Sequence, residues 1–80
     1  MTDEALFEKV ARTMAVVIGI DQSEIKPDSS MDSIDKWDSL KHMKMIMALE
    51  QEFDVMFDDE DVVEMLSVPL ILIAIKEKVA

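Results

Sequence analysis

The chain has no cysteine, a single glycine and two prolines, and aromatic residues make up only 5% of its 80 positions. Without cysteine, no disulfide and no thiolate-bound metal holds the fold together, which is compatible with the reducing cytoplasm expected for it. The scarcity of glycine and proline leaves long stretches free to be helical. Few aromatics and eight methionines predict an aliphatic, adaptable core. Long apolar runs are missing too. The stretch Met14–Ile20 falls far short of the roughly 20 residues that cross a bilayer, and no signal-peptide pattern opens the chain. Bases are outnumbered, 8 against 18 acids, giving a net charge of −10 and a pI near 4.2. That balance excludes nucleic acid as a partner, because phosphate binding needs the opposite sign, and it makes basic protein surfaces the natural complement. No repeat, low-complexity tract or strand-like alternation is present.

Half the residues are hydrophobic, which argues against disorder despite the charge. Residues 1–80 are expected to form one domain, near the lower size limit for a self-supporting core. Leu6, Val10, Met14 and Val17 recur at helical spacing, widened by Phe7 and Ile18, and Gly19 supplies a stop. Ile20 to Trp37 is a long connection, pinned to the core by Ile20, Ile25, Met31, Ile34 and Trp37. A second helix runs from Ser39 to Phe53. Asp58-Asp59-Glu60-Asp61 opens a short third helix, its acids placed where the helix dipole favours them. Ser67 caps a fourth, with Pro69 tolerated in the first turn and Lys76 and Lys78 in the last. Its inner face is expected to be Ile71, Leu72, Ile75 and Val79, leaving Leu70 and Ile73 outside as a possible self-association patch. The predicted architecture is an all-α four-helix bundle with a short third helix and a long loop between helices one and two.

The most informative segment is Trp37-Asp38-Ser39-Leu40, where the irregular connection becomes the second helix. A serine hydroxyl there lies near solvent at a helix N-terminus, beside backbone N–H groups that favour an added anion. Read alone, Asp38 or Ser39 is a helix cap and nothing more, and the chain is an acidic interaction module. The single histidine, His42, lies three residues on, close enough to raise a Ser–His pair. No oxyanion loop and no second carboxylate–His alignment accompany it, so no catalytic residue is assigned, and His42 is expected to be half-buried and packed by its ring. Eight acids and no bases lie between Glu50 and Glu64. They lack the glycine and the alternation of a calcium loop, so no metal site is assigned and the segment reads as a solvated acidic surface.

Asp38-Ser39-Leu40 at the head of such a helix resembles the acyl carrier proteins. Met47-Ala48-Leu49-Glu50-Gln51-Glu52-Phe53 is similar to the end of their second helix, and Gly19 and Phe57–Val68 also fit, so the resemblance runs from about Leu6 to Ile75. It implies a non-enzymatic carrier that holds intermediates as thioesters on a phosphopantetheine arm, taken from coenzyme A and attached to Ser39. Asp38 would position the serine or a metal for a phosphopantetheinyl transferase that uses Mg²⁺. Other partners would be acyl-loading and acyl-processing enzymes with basic or apolar docking surfaces, meeting a monomer. Two apolar stripes run along the second helix: Met45, Ile46, Leu49 and Phe53 for the core, and Leu40, Met43 and Met47 on the outside. The outer stripe leads away from Ser39 and, with Lys41 and Lys44, forms the expected partner-contact face. Typical fatty-acid carriers have acids where Lys41 and Lys44 stand, which points to a specialised carrier unless both lysines are paired to acids such as Asp38 or Glu52.

Overall fold

The computed structural model describes residues 2–79. Helix α1 spans Asp3–Ile18, α2 Ser39–Phe53, α3 Asp59–Glu64 and α4 Val68–Val79, with a 3₁₀ turn at Gln22–Glu24. Among the described residues there is no strand, only an isolated antiparallel bridge between Ser30 and Ser67.

Helix α1 starts where the Thr2 hydroxyl oxygen accepts the Ala5 N–H at 3.1 Å, with Asp3 and Glu4 in its first turn. It buries Leu6, Val10, Ala11, Met14, Ala15 and Ile18. Gly19 ends it in the left-handed conformation, φ 85°, and the N–H groups of Gly19 and Ile20 both donate to the Ala15 carbonyl. A side chain at this position would be strained by the backbone, although nothing lies within 4 Å of where a Cβ would stand.

The connection from α1 to α2 is irregular but tied down. Ile25, Ile34 and Trp37 are buried, and Ile20 and Met31 pack partly against the core. Its middle is sewn to the α3–α4 junction: the Met31 N–H donates to the Leu66 carbonyl at 2.9 Å, and the Val68 N–H to the Ser29 carbonyl at 2.8 Å. A loop of this length keeps its shape because its backbone polar groups find partners.

Helix α2 ends at Asp54, which takes the left-handed conformation, φ 54°, without being glycine. The Glu50 carboxylate then accepts the Phe57 N–H at 2.9 Å and turns the chain toward α3. Helix α3 is a turn and a half, its start fixed by the Asp58 N–H donating to the Asp61 carboxylate. Helix α4 begins at Ser67, whose hydroxyl accepts the Leu70 N–H at 3.4 Å. It buries Val68, Ile71, Ala74 and Ile75. The inner face therefore differs from the expected one at its end. Val79 is exposed, because the last turn runs past the core, and Val68 and Ala74 complete the packing instead. Leu70 and Ile73 are exposed, as their spacing predicts.

The radius of gyration is 11.2 Å, close to the roughly 11.6 Å of a compact 80-residue domain. Met14, Met45 and Met65 are fully buried and fill the centre beside Trp37 and Leu49.

Candidate functional site

Asp38 sits in extended backbone at the head of α2, and its Oδ1 accepts the Lys41 N–H at 2.8 Å while its carbonyl accepts the His42 N–H. The cap is therefore Asp38. Ser39 is the first helical residue, exposed, with its hydroxyl free of the capping role. The first N–H groups of a helix have no partner within it. With the cap engaging Lys41, those of Ser39 and Leu40 have no partner inside the helix and lie at the same N-terminus as the serine. That is a site suited to an anionic phosphodiester, opposed by the nearby Asp38 carboxylate.

What holds this exposed site in place lies directly beneath it. Trp37 is buried, and its Nε1–H donates to His42 Nδ1 at 3.1 Å. The other ring nitrogen of His42, Nε2, lies 2.9 Å from the Val62 carbonyl on α3. The two rings are 5.9 Å apart and tilted by 33°. A carbonyl can only accept, so Nε2 carries the proton and Nδ1 receives the indole N–H. His42 is thus more deeply buried than its place at the edge of the inward stripe suggests, 5% exposed, because both its nitrogens are satisfied inside. It has no lone pair left to act as a base for Ser39, and the Ser–His pair falls away.

The outer stripe of α2 is present: Leu40 is 63% exposed, Met43 53% and Met47 61%. Met43 and Met47 are not covered by the long loop. Lys41 is half-buried, and its Nζ reaches the Val17 carbonyl at 3.4 Å. It supplies a cation at the C-terminal end of α1, which has no base in its own last turn. Lys44 is exposed. Neither lysine pairs with the acids named as its alternatives. The Asp38 carboxylate caps α2, and Glu52 pairs with Lys9 at 3.8 Å. Among the described residues no group of three or more His, Asp or Glu side chains is arranged to hold a metal, and no helix is long and apolar enough to cross a membrane.

A small all-helical bundle that presents an exposed serine at the head of its second helix has the form of a carrier domain. Residues 8–72 match the family described as "Phosphopantetheine attachment site". The chain is also similar to an "Acyl carrier protein" of Clostridium acetobutylicum, 44% identical over 63 residues, which cover 79% of this chain and 82% of that protein. The chain belongs to the acyl carrier protein family, and it contains the domain to which phosphopantetheine is attached.

Proposed function

We propose that Ser39 bears the arm and that residues 1–80 act as one carrier domain, a cytoplasmic monomer that catalyses nothing itself. The observation that carries this reading is the division of labour at the head of α2: Asp38 caps the helix and Ser39, free of that role, is left exposed at the helix N-terminus. In the attachment step the Ser39 oxygen displaces the nucleotide part of coenzyme A from phosphorus, forming a phosphodiester. The transferase supplies the base and Mg²⁺, since nothing in this chain activates the hydroxyl. Asp38 holds the turn that presents Ser39 and lies where a transferase-bound metal would meet it. When bound, the arm supplies a thiol that carries acyl or aminoacyl groups as thioesters. The protein's own contribution is then to raise the local concentration of that cargo at a docked enzyme.

Leu40, Met43 and Met47, with Lys41 and Lys44 beside them, form the contact face for the transferase and for loading and processing enzymes. The two bases support a carrier dedicated to polyketide, nonribosomal peptide or surface-lipid and saccharide assembly, separate from housekeeping fatty-acid synthesis. An enzyme patch built to read acids would meet like charge there, enough to exclude a partner.

Incubation with coenzyme A and a broad-specificity phosphopantetheinyl transferase tests the attachment. Intact mass should rise by one arm in the native chain and not in Ser39→Ala. No gain with several transferases on folded protein would refute the carrier reading. For the pathway, loading by the source organism's own fatty-acid enzymes should be poor and should improve when Lys41 and Lys44 are changed to acids. Turnover equal to that of the organism's main carrier would rule out specialisation.

A further inference from the structure

The chain is strongly acidic, yet the surface running from Ser39 along α2 toward α1 is locally basic. The two helices pack antiparallel: Lys41 near the start of α2 reaches the Val17 carbonyl at the end of α1, and Glu52 near the end of α2 pairs with Lys9 in the middle of α1. Between these two ties lies an open groove of about 420 Å³ whose lining includes Arg12, Val16, Val17 and Ala48. Lys41, Lys44, Ala48 and Glu52 are spaced i, i+3, i+7 and i+11, so they form one row of α2, of which Ala48 and Glu52 line the groove and the two lysines lead to it. Leu40, Met43 and Met47 form the adjoining outer row. Val16 faces out from α1 at 79% exposure.

The charges along this row do not cancel. Glu52 is the acid among the groove's lining residues, and Lys9 neutralises it while also lying 4.8 Å above the Phe53 ring. Among the described residues no ion pair involves Arg12, Lys41 or Lys44. The Lys41 contact to a carbonyl leaves its charge in place. Lys44 has Leu40, Lys41, Met47 and Ala48 at its helical neighbour positions, none of them acidic. Apolar surface from Val16, Ala48, Met43 and Met47 thus lies beside Arg12 and Lys44, two exposed cations that no ion pair engages among the described residues, with Glu8 four residues before Arg12 on α1 the acid placed to face it.

We propose that the α1–α2 groove, farther along α2 from Ser39, docks a partner segment that is apolar on one side and carries carboxylates opposite Arg12 in the groove and Lys44 on the helical row that leads to it. The inference names the partner chemistry of the carrier face and rests on the carrier reading for the segment's purpose, not for its binding. Charges are screened beyond about 8 Å at physiological salt, so the net charge of −10 governs distant approach while these local cations govern contact. A partner with a uniformly basic patch is attracted from afar and rejected at this groove. One that presents carboxylates beside apolar side chains is accepted there. Sign at a contact sets specificity more than affinity.

Two synthetic amphipathic peptides test this, one with glutamates flanking a leucine face and its lysine counterpart, each titrated into isotope-labelled protein at physiological salt. The glutamate peptide should shift the backbone resonances of Thr13, Val16, Lys44 and Ala48. The double variant Arg12→Glu, Lys44→Glu should weaken it by about tenfold or more with its unfolding curve unchanged. Binding of the glutamate peptide elsewhere, tighter binding of the lysine peptide in this groove, or self-association through the groove in sedimentation would each overturn the proposal. Ser39 modification is read separately by mass on the same samples. Failure to modify would overturn the carrier reading while the groove measurement still stands.

Discussion

Asp38, Ser39 and His42 occupy a single turn and do three different jobs. Asp38 accepts a backbone N–H and fixes the turn, Ser39 is thereby left exposed, and His42 points inward to join Trp37 and α3. Helix phase alone does not make the division, since residues three apart are neighbours on one face; partners do, with His42 held inward by the Trp37 indole and the Val62 carbonyl while Ser39 in the first turn stays exposed. His42 is where a substitution should be felt most. His42→Phe keeps the ring and strands a buried indole N–H and the Val62 carbonyl, which should cost about 3 kcal/mol in urea unfolding. Adding Trp37→Phe should cost less than that change does alone, because the orphaned donor goes with it. Additive losses would show that the two side chains act independently. Asp38 and Ser39 were legible in the sequence because capping chemistry is local. The His42 link was not, since its third member, Val62, is 20 positions away and contributes only a carbonyl.

Helix α2 carries two apolar stripes, and their burial settles which faces the core. Leu49 is wholly buried and Met47 is largely exposed. Leu49→Glu should therefore lose at least about 4 kcal/mol or fail to fold, since it places an unpaired charge in the centre. Met47→Glu should stay within about 0.5 kcal/mol of the native chain while weakening docking to the transferase. Equal losses in circular dichroism melts would contradict the assignment of faces. The limits of α2 and the stop at Gly19 could be read beforehand from helical spacing and from the cap residues around them. The end of α4 could not. Val79 fits the apolar period of its helix, but how far the core extends depends on the other helices, and it ends before that turn. The tie between the long loop and the α3–α4 junction was equally hidden, because it uses backbone groups of Ser29, Met31, Leu66 and Val68 and no side-chain pattern marks it.

At the scale of the whole molecule, charge is distributed unevenly. One stabilising acid is identifiable: Asp61 is held below its ordinary value of 3.8, first by the hydrogen bond from the Asp58 N–H and then by Lys78, against opposing desolvation. Lys78 lies 3.3 Å from it. Because its folded value is the lower one, Asp61 adds stability above its ordinary titration range and loses it as pH falls through the depressed value. The stability gap between the native chain and Asp61→Asn should therefore narrow on acidification below about pH 4, followed by thermal melts across that range. A constant gap would show that the carboxylate's charge is irrelevant there. Of the other acids, Asp3, Glu52 and Asp58 pair with lysines and Glu50 accepts the Phe57 N–H, and in the proposed function this acidic surface is one that partners approach. That function depends on one covalent event at one side chain. The most direct measurement is fragmentation mass spectrometry of the protein isolated from its own cells. The account predicts a phosphopantetheine arm on the peptide containing Ser39, part of it acylated at the thiol, with Ser23, Ser29, Ser30, Ser33 and Ser67 unmodified. An arm on any other residue, or a folded, abundant protein carrying none, would contradict it.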